Sequence, residues 1–213
     1  MKTVPHRIMR TRWIALLLGP ALALPVLPAP ETFDFKDPKN GNKIEFKLDA
    51  PLEKIAGAAN DISGTVTFDP ENPGATRGKI AVATASLTVP NGLQTTTMRG
   101  SQWLDAARYP QITFEARELK NLKTNGDITT AEVTGAFTLH GVSKQLTIPV
   151  EMKYLKDKLG ERLGGNQKGD LLVITSTNFS IQRADFNIMP GQNLDKVADT
   201  IHLTLGVAGA SPK

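Results

Sequence analysis

The feature that most constrains this chain is a series of short segments in which apolar and polar residues alternate one by one. In one, Leu146, Ile148, Val150, Met152 and Tyr154 are separated by Thr147, Pro149, Glu151 and Lys153. In a second, Val133, Gly135, Phe137 and Leu139 alternate with Thr134, Ala136 and Thr138. In a third, Ile201, Leu203, Leu205 and Val207 alternate with His202, Thr204 and Gly206. Successive side chains of a strand point to opposite faces, so each segment has one apolar and one polar face. About eight such strands predict an all-β fold, an antiparallel sheet closed or nearly closed into a barrel. A barrel of about eight strands has room inside for side chains or for one small ligand.

The start of the chain reads as a secretory signal. Lys2, Arg7, Arg10 and Arg12 precede an apolar run that begins at Trp13, and Ala21-Leu22-Ala23 is a small-x-small cleavage site. Prolines and a glycine interrupt the run too early for a membrane span of roughly 20 residues. The expectation is export to the periplasm with cleavage after Ala23. Removing those four basic residues from the 25 in the chain leaves 21 basic against 21 acidic. The excess basic charge therefore belongs to the leader, and no nucleic-acid partner is expected. With no cysteine, disulfides, thiol catalysis and thiolate metal sites are excluded.

Residues 24–41, rich in Pro, Asp, Lys and Asn, read as an N-terminal tail, residues 42–208 as the barrel and 209–213 as a C-terminal tail. Ile44, Phe46 and Leu48 give the first strand, and Gly64, Val66 and Phe68 another. The Ala-rich stretch 49–60 reads as a short helix or a loop. A single helical stretch is expected over about 93–107, carrying Met98, Trp103 and Leu104, between the Asn91-Gly92 breaker and Tyr109-Pro110. Asn125-Gly126-Asp127 and His140-Gly141 mark tight hairpin turns. Residues 156–169 read as a charged, glycine-rich hairpin loop.

Chemistry-bearing residues are sparse. The mature chain has two histidines, His140 at a turn and His202 on the polar side of its strand, neither at metal-ligand spacing. There is no nucleophile elbow, P-loop or dinucleotide fingerprint. Arg183 and Asp185 are placed to form a local ion pair that fixes their loop. Phe46, Phe68, Phe114 and Phe137 all fall at inward parity. Periodicity alone favours a solid core over a pocket, while the small inward residues Gly64, Gly135 and Ala116 leave room for a cavity.

Three stretches together resemble the YceI-like family of exported lipid-binding proteins. The first runs from Met98 through Trp103-Leu104 to Tyr109-Pro110-Gln111-Ile112-Thr113-Phe114. The second is Gly135-Ala136-Phe137-Thr138-Leu139-His140-Gly141-Val142-Ser143-Lys144. The third is Phe179 to Ile188, which contains Arg183-Ala184-Asp185-Phe186-Asn187 where the family has a glycine after Asp-Phe. A second departure is Lys47-Leu48-Asp49-Ala50-Pro51, where members often carry a histidine. The resemblance implies an extended lipocalin-like barrel with a helix beside it. It also implies an apolar cavity for a long isoprenoid or related amphiphile, and no enzymatic activity.

On this reading Phe46, Phe68, Ile112, Phe114, Phe137, Leu139, Ile148 and Leu203 line the cavity from the strands, and Trp103 and Leu104 from the helix. Phe179, Phe186 and Ile188 close its mouth. No cofactor or metal is expected beyond the bound lipid. The partner expectations are a long-chain apolar molecule, transient contact with a membrane or a membrane-bound donor or acceptor, and a monomer or homodimer. Two other readings stay open: a structural or stress-response module with a filled core, and an enzyme acting on a lipid head group.

Overall fold

The computed structural model describes residues 30–213; the expected leader and its cleavage site lie outside the described residues. Ten strands follow in order: β1 (Glu31–Asp34), β2 (Lys43–Asp49), β3 (Lys54–Ala59), β4 (Ile62–Phe68), β5 (Arg77–Ala83), β6 (Gln111–Asn125), β7 (Ile128–Leu139), β8 (Val142–Leu155), β9 (Gly169–Gln182) and β10 (Thr200–Pro212). Helix α1 (Gly92–Arg99) lies between β5 and β6, and α2 (Leu159–Leu163) between β8 and β9. Eight strands, β1-β4-β5-β6-β7-β8-β9-β10, form an antiparallel barrel that closes where Asp34 of β1 meets Ala210 of β10. The β2–β3 hairpin is added to the first half of β10, from Lys47 opposite His202 to Lys43 opposite Gly206.

The alternation in the sequence is carried into space. In β7 every second residue from Thr129 to Leu139 is buried, and the opposite set meets solvent or is half-covered. The His140-Gly141 turn has both residues at positive φ, 51° and 74°, as a two-residue type I′ hairpin needs.

β10 changes neighbour along its length, and buried Asn42 covers the change. Its Nδ2 donates to Phe35 O (2.8 Å) and Ala208 O (3.1 Å), while its Oδ1 accepts from Ala208 N (2.7 Å). Backbone groups at the switch are thereby satisfied without a strand partner.

Among the described residues, each expected tail contributes to a barrel strand. Phe33 and Phe35 are completely buried and β1 pairs with β4 from Glu31–Phe68 to Asp34–Thr65. The polar, proline-containing surroundings conceal this two-phenylalanine alternation. At the other end β10 runs to Pro212. Its Gly209 is small because the Phe35 ring occupies the space of a side chain there, 2.5 Å from where a Cβ would lie.

The Ala-rich stretch is also corrected, since 54–59 is strand β3. Gly57 stands opposite Phe46, whose ring comes within 2.3 Å of an ideal Cβ at 57. Tertiary pairing overrides the local preference of small residues. The helix is shorter than expected. Asn91 caps α1 by accepting from Leu93 N (2.9 Å) and Gln94 N (3.2 Å). After Gly100 the chain folds back through turns, with Asp105 at φ 44° and Leu104 N bonded to Met98 O. The 156–169 loop carries the short helix α2.

Apolar side chains divide the interior. At the end near β1, Phe33, Phe35, Phe68 and Tyr154 form a plug, with Tyr154 edge-on to Phe33 (6.3 Å between centroids) and 6.0 Å from Phe68. Toward α1 the interior is open.

Candidate functional site

Between the plug and α1 lies one apolar cavity of about 590 Å³. Strands supply its walls by the inward parity already described: Ile201, Leu203, Leu205 and Val207 of β10 all face it, as do Ile148, Val150 and Met152 of β8. Its size falls within the roughly 300–1,000 Å³ of small-molecule pockets. Most polar lining side chains gather at the mouth, where Glu53 ends the β2–β3 turn, Gln94 and Thr97 lie on α1, and Asn193 and Lys196 lie on the loop before β10; the others are Thr113, the buried Arg183 and, just before β5, the buried Thr76. Arg99 fastens α1 to the wall through Nε, which donates to Leu87 O at 2.8 Å.

Eleven of the thirteen residues singled out in the sequence face this cavity: Phe46, Trp103, Leu104, Ile112, Phe114, Phe137, Leu139, Ile148, Phe179, Ile188 and Leu203. Phe68 does not, because it belongs to the plug against Tyr154. Phe186 does not either. It sits behind the wall, edge-to-face on Phe137 with centroids 5.5 Å apart. Parity tells which face of a strand is inward but not how far along the barrel the void extends.

The small inward residues act differently from expectation. Gly135 makes no room, since the Phe114 ring lies across it, 2.7 Å from an ideal Cβ. Gly64, at φ 123°, lets β5 approach, with Lys79 O 2.0 Å from where a Cβ would be. Only Ala116 of the three opens onto the cavity.

The expected Arg183–Asp185 pair is absent. Asp185 instead pairs with Lys144 across the barrel wall at 2.9 Å. Arg183 turns inward and is 1% exposed, the largest fully buried side chain of the described residues. Its Nε donates to Ala198 O (3.2 Å), Nη1 to Ile188 O (2.8 Å) and Met189 O, and Nη2 to Gln192 O and Val197 O (3.1 Å). A guanidinium has five N–H donors, so every one is used. Burial lowers its pKa from the ordinary arginine range, and the nearby Asp199 carboxylate opposes that shift. One cation thus shapes the 188–198 loop that edges the mouth, and it has no donor left for a ligand.

The same turn explains the departure from the family pattern. Asn187 adopts the left-handed conformation at φ 56°, where glycine is favoured and asparagine tolerated. Beside it His140 Nδ1 lies 3.0 Å from Phe186 O, so this histidine serves the turn. His202 is exposed, as its parity predicts.

β8 and β9 are in register only over Glu151–Leu155 and Leu171–Thr175 among the described residues. Beyond that, the wall is completed by side chains: Ser176 Oγ donates to Pro149 O at 2.6 Å, and Phe186 and Ile188 pack with Leu146 and Ile181.

Among the described residues no group of three His, Asp or Glu side chains is placed to hold a metal ion. A further charged cluster lies at the plug end. Asp170 accepts from Tyr154 Oη, from Asp157 N (2.9 Å) and from Lys213 Nζ (2.8 Å), and Lys213 also reaches Glu31 at 3.6 Å.

Comparison with known proteins agrees with this architecture. The model of the YceI-like domain matches residues 36–208. A UPF0312 protein of Yersinia pestis (strain Pestoides F) is 32% identical over 183 residues, covering 84% of this chain and 88% of that protein. The crystal structure of Burkholderia cenocepacia BcnA superposes with a TM-score of 0.62 at 22% identity, over 78% of this chain and 95% of that one. A polyisoprenoid binding domain from Saccharophagus degradans gives a TM-score of 0.62 at 12% identity, over 86% and 100% of the two chains. With the matched model spanning most of the barrel and a relative above 30% identity along it, the chain belongs to the YceI-like family.

Proposed function

We propose that this protein is an exported, non-enzymatic carrier that sequesters a long isoprenoid or related amphiphilic lipid in the barrel. The observation that carries the reading is the cavity itself: about 590 Å³, walled almost entirely by aliphatic and aromatic side chains, with most of its few polar groups at the mouth. A molecule with a long apolar body and a polar end fits that distribution. The structural neighbour described as a polyisoprenoid binding domain supports the ligand class. A filled-core module is disfavoured because the interior is not filled.

Burying about 400 Å² of apolar ligand surface contributes roughly 10 kcal/mol at ~25 cal/mol per Å². Association costs of at least about 4 kcal/mol offset part of it. What remains sustains micromolar or tighter binding without a charged anchor, consistent with an Arg183 whose donors are all spent within the protein. Solvent extraction of protein purified from its native host, followed by mass spectrometry, is expected to give one lipid class at near-stoichiometric amount. Protein that carries no lipid and takes up none from isoprenoid alcohols or quinones in solution overturns the reading.

A further inference from the structure

Four large apolar side chains are exposed among the described residues, and all are leucines: Leu93 (77%), Leu52 (68%), Leu194 (46%) and Leu122 (37%). Scattered single leucines on a surface need no explanation. Three of these are not scattered. Leu93 lines the cavity from the first turn of α1, Leu52 precedes the lining residue Glu53, and Leu194 follows the lining residue Asn193. Three separate elements therefore each place a leucine at the rim of one opening. Two of the elements are tied together there, since Leu52 N donates to Asp195 O at 2.9 Å.

From this arrangement we propose that the mouth docks on a phospholipid bilayer, with Leu52, Leu93 and Leu194 entering the interface around the opening. The proposal rests on the carrier reading, and it names the surface from which the ligand is drawn. Continuity with the apolar cavity selects a bilayer: a lipid tail passes from hydrocarbon into protein without crossing water. A protein partner fits less well, because protein interfaces anchor on aromatic and arginine side chains and leucine is under-represented among their hot spots. The charges beside the leucines are Glu53 and Asp195 against Lys54 and Lys196, two of each sign. Docking is therefore driven by apolar insertion and not by attraction to anionic lipid.

The test is flotation of the full-length mature protein with neutral phosphatidylcholine vesicles. The double variant Leu52→Asp/Leu194→Asp is expected to lose binding by about tenfold or more. Leu122→Asp, on the β6 strand, is expected to float like the wild type. Both variants should keep the wild-type melting temperature, because the altered side chains are exposed. The carrier function is read separately by uptake of a free isoprenoid alcohol without vesicles: the double variant, whose cavity lining is unaltered, should bind it like the wild type while its loading from vesicles slows. A wild type that ignores neutral vesicles overturns the docking proposal, as does a double variant that floats unchanged. Binding that needs anionic lipid and is abolished by salt also overturns it. A wild type without extractable lipid that also takes up no isoprenoid alcohol retires the carrier reading, and the docking proposal with it.

Discussion

The Arg183 guanidinium carbon lies 5.6 Å from the ring centroid of Trp103, over its face. The pair joins the loop before β10 to the segment after α1, so one buried cation holds both sides of the mouth. Its aromatic cover adds a cation–π attraction that desolvation strengthens. Arg183→Met keeps volume but strands four carbonyl oxygens, since Met189 O also accepts from Gln192 N. At about 1–3 kcal/mol for each one left dry, with some regaining water, a loss of about 3 kcal/mol or more is expected in urea unfolding. Arg183→Lys supplies three donors in another geometry and should recover only part. Hydrogen exchange should quicken in residues 188–198 before the strands respond. A variant of unchanged stability would show that the carbonyls are satisfied without the cation.

The plug-end charges set the acid response. Burial alone would raise the Asp37 carboxyl, but Lys39 N, Gly41 N and the Arg162 guanidinium (2.5 Å) hold it below the ordinary range. Asp170 behaves alike: burial works against it, while Lys213, Tyr154 and Asp157 N lower it overall. A depressed folded-state pKa contributes stability that is present above the unfolded value and lost as pH falls through the folded one. Stability should therefore decline as pH drops below about 4. Asp37→Asn should flatten that decline.

Glu31 has the opposite sign. Burial first, and then the Asp170 carboxylate, raise its pKa, so ionising it costs stability above the unfolded value. Glu31→Gln is expected to match or exceed the wild-type melting temperature at pH 7, with the difference vanishing below about pH 4. A clear loss at pH 7 would show that the contact with Lys213 outweighs the repulsion.

How much was readable in the sequence follows from range. The inward faces of β7, β8 and β10 were legible because strict alternation is a local property of each segment. β1, β3 and the end of β10 were not. Gly57 and Gly209 are small because Phe46 and Phe35 fill their space from other strands, and no window of sequence contains both partners. The same limit hid the role of Arg183. Its acceptors run from Ile188 to Ala198, and the nearer Asp185 offered a simpler partner that Lys144 takes instead. Phe68 and Phe186 have the parity and size of cavity residues; only their positions along the barrel and behind the wall exclude them.

Export gives a separate prediction. From the basic start, the apolar run from Trp13 and Ala21-Leu22-Ala23, cleavage is expected after Ala23. Intact mass of periplasmic protein should correspond to a chain beginning at Leu24. Full-length protein confined to the cytoplasm would reject export.

The cavity is tested by changing its volume in both directions. Ala116 faces the void, opposite Gly78 on one side and Gly135 on the other. Ala116→Phe should therefore enter empty space. In a packed core such an insertion costs about 1–3 kcal/mol; here the melting temperature of lipid-free protein should hold or rise while bound lipid falls. Phe137→Ala works in reverse. Phe137 packs on Phe186 on one side and faces the void on the other, so only part of its surface leaves contact. Its loss should cost about 2–3 kcal/mol, less than the ~3–5 of a fully packed site, and the enlarged cavity should admit bulkier lipid. The two measurements belong together, lipid content by extraction and stability by denaturation, on each variant with and without ligand. If both substitutions destabilise as they would in solid packing, and the wild type yields no lipid, the open interior is not a binding site and the carrier assignment fails.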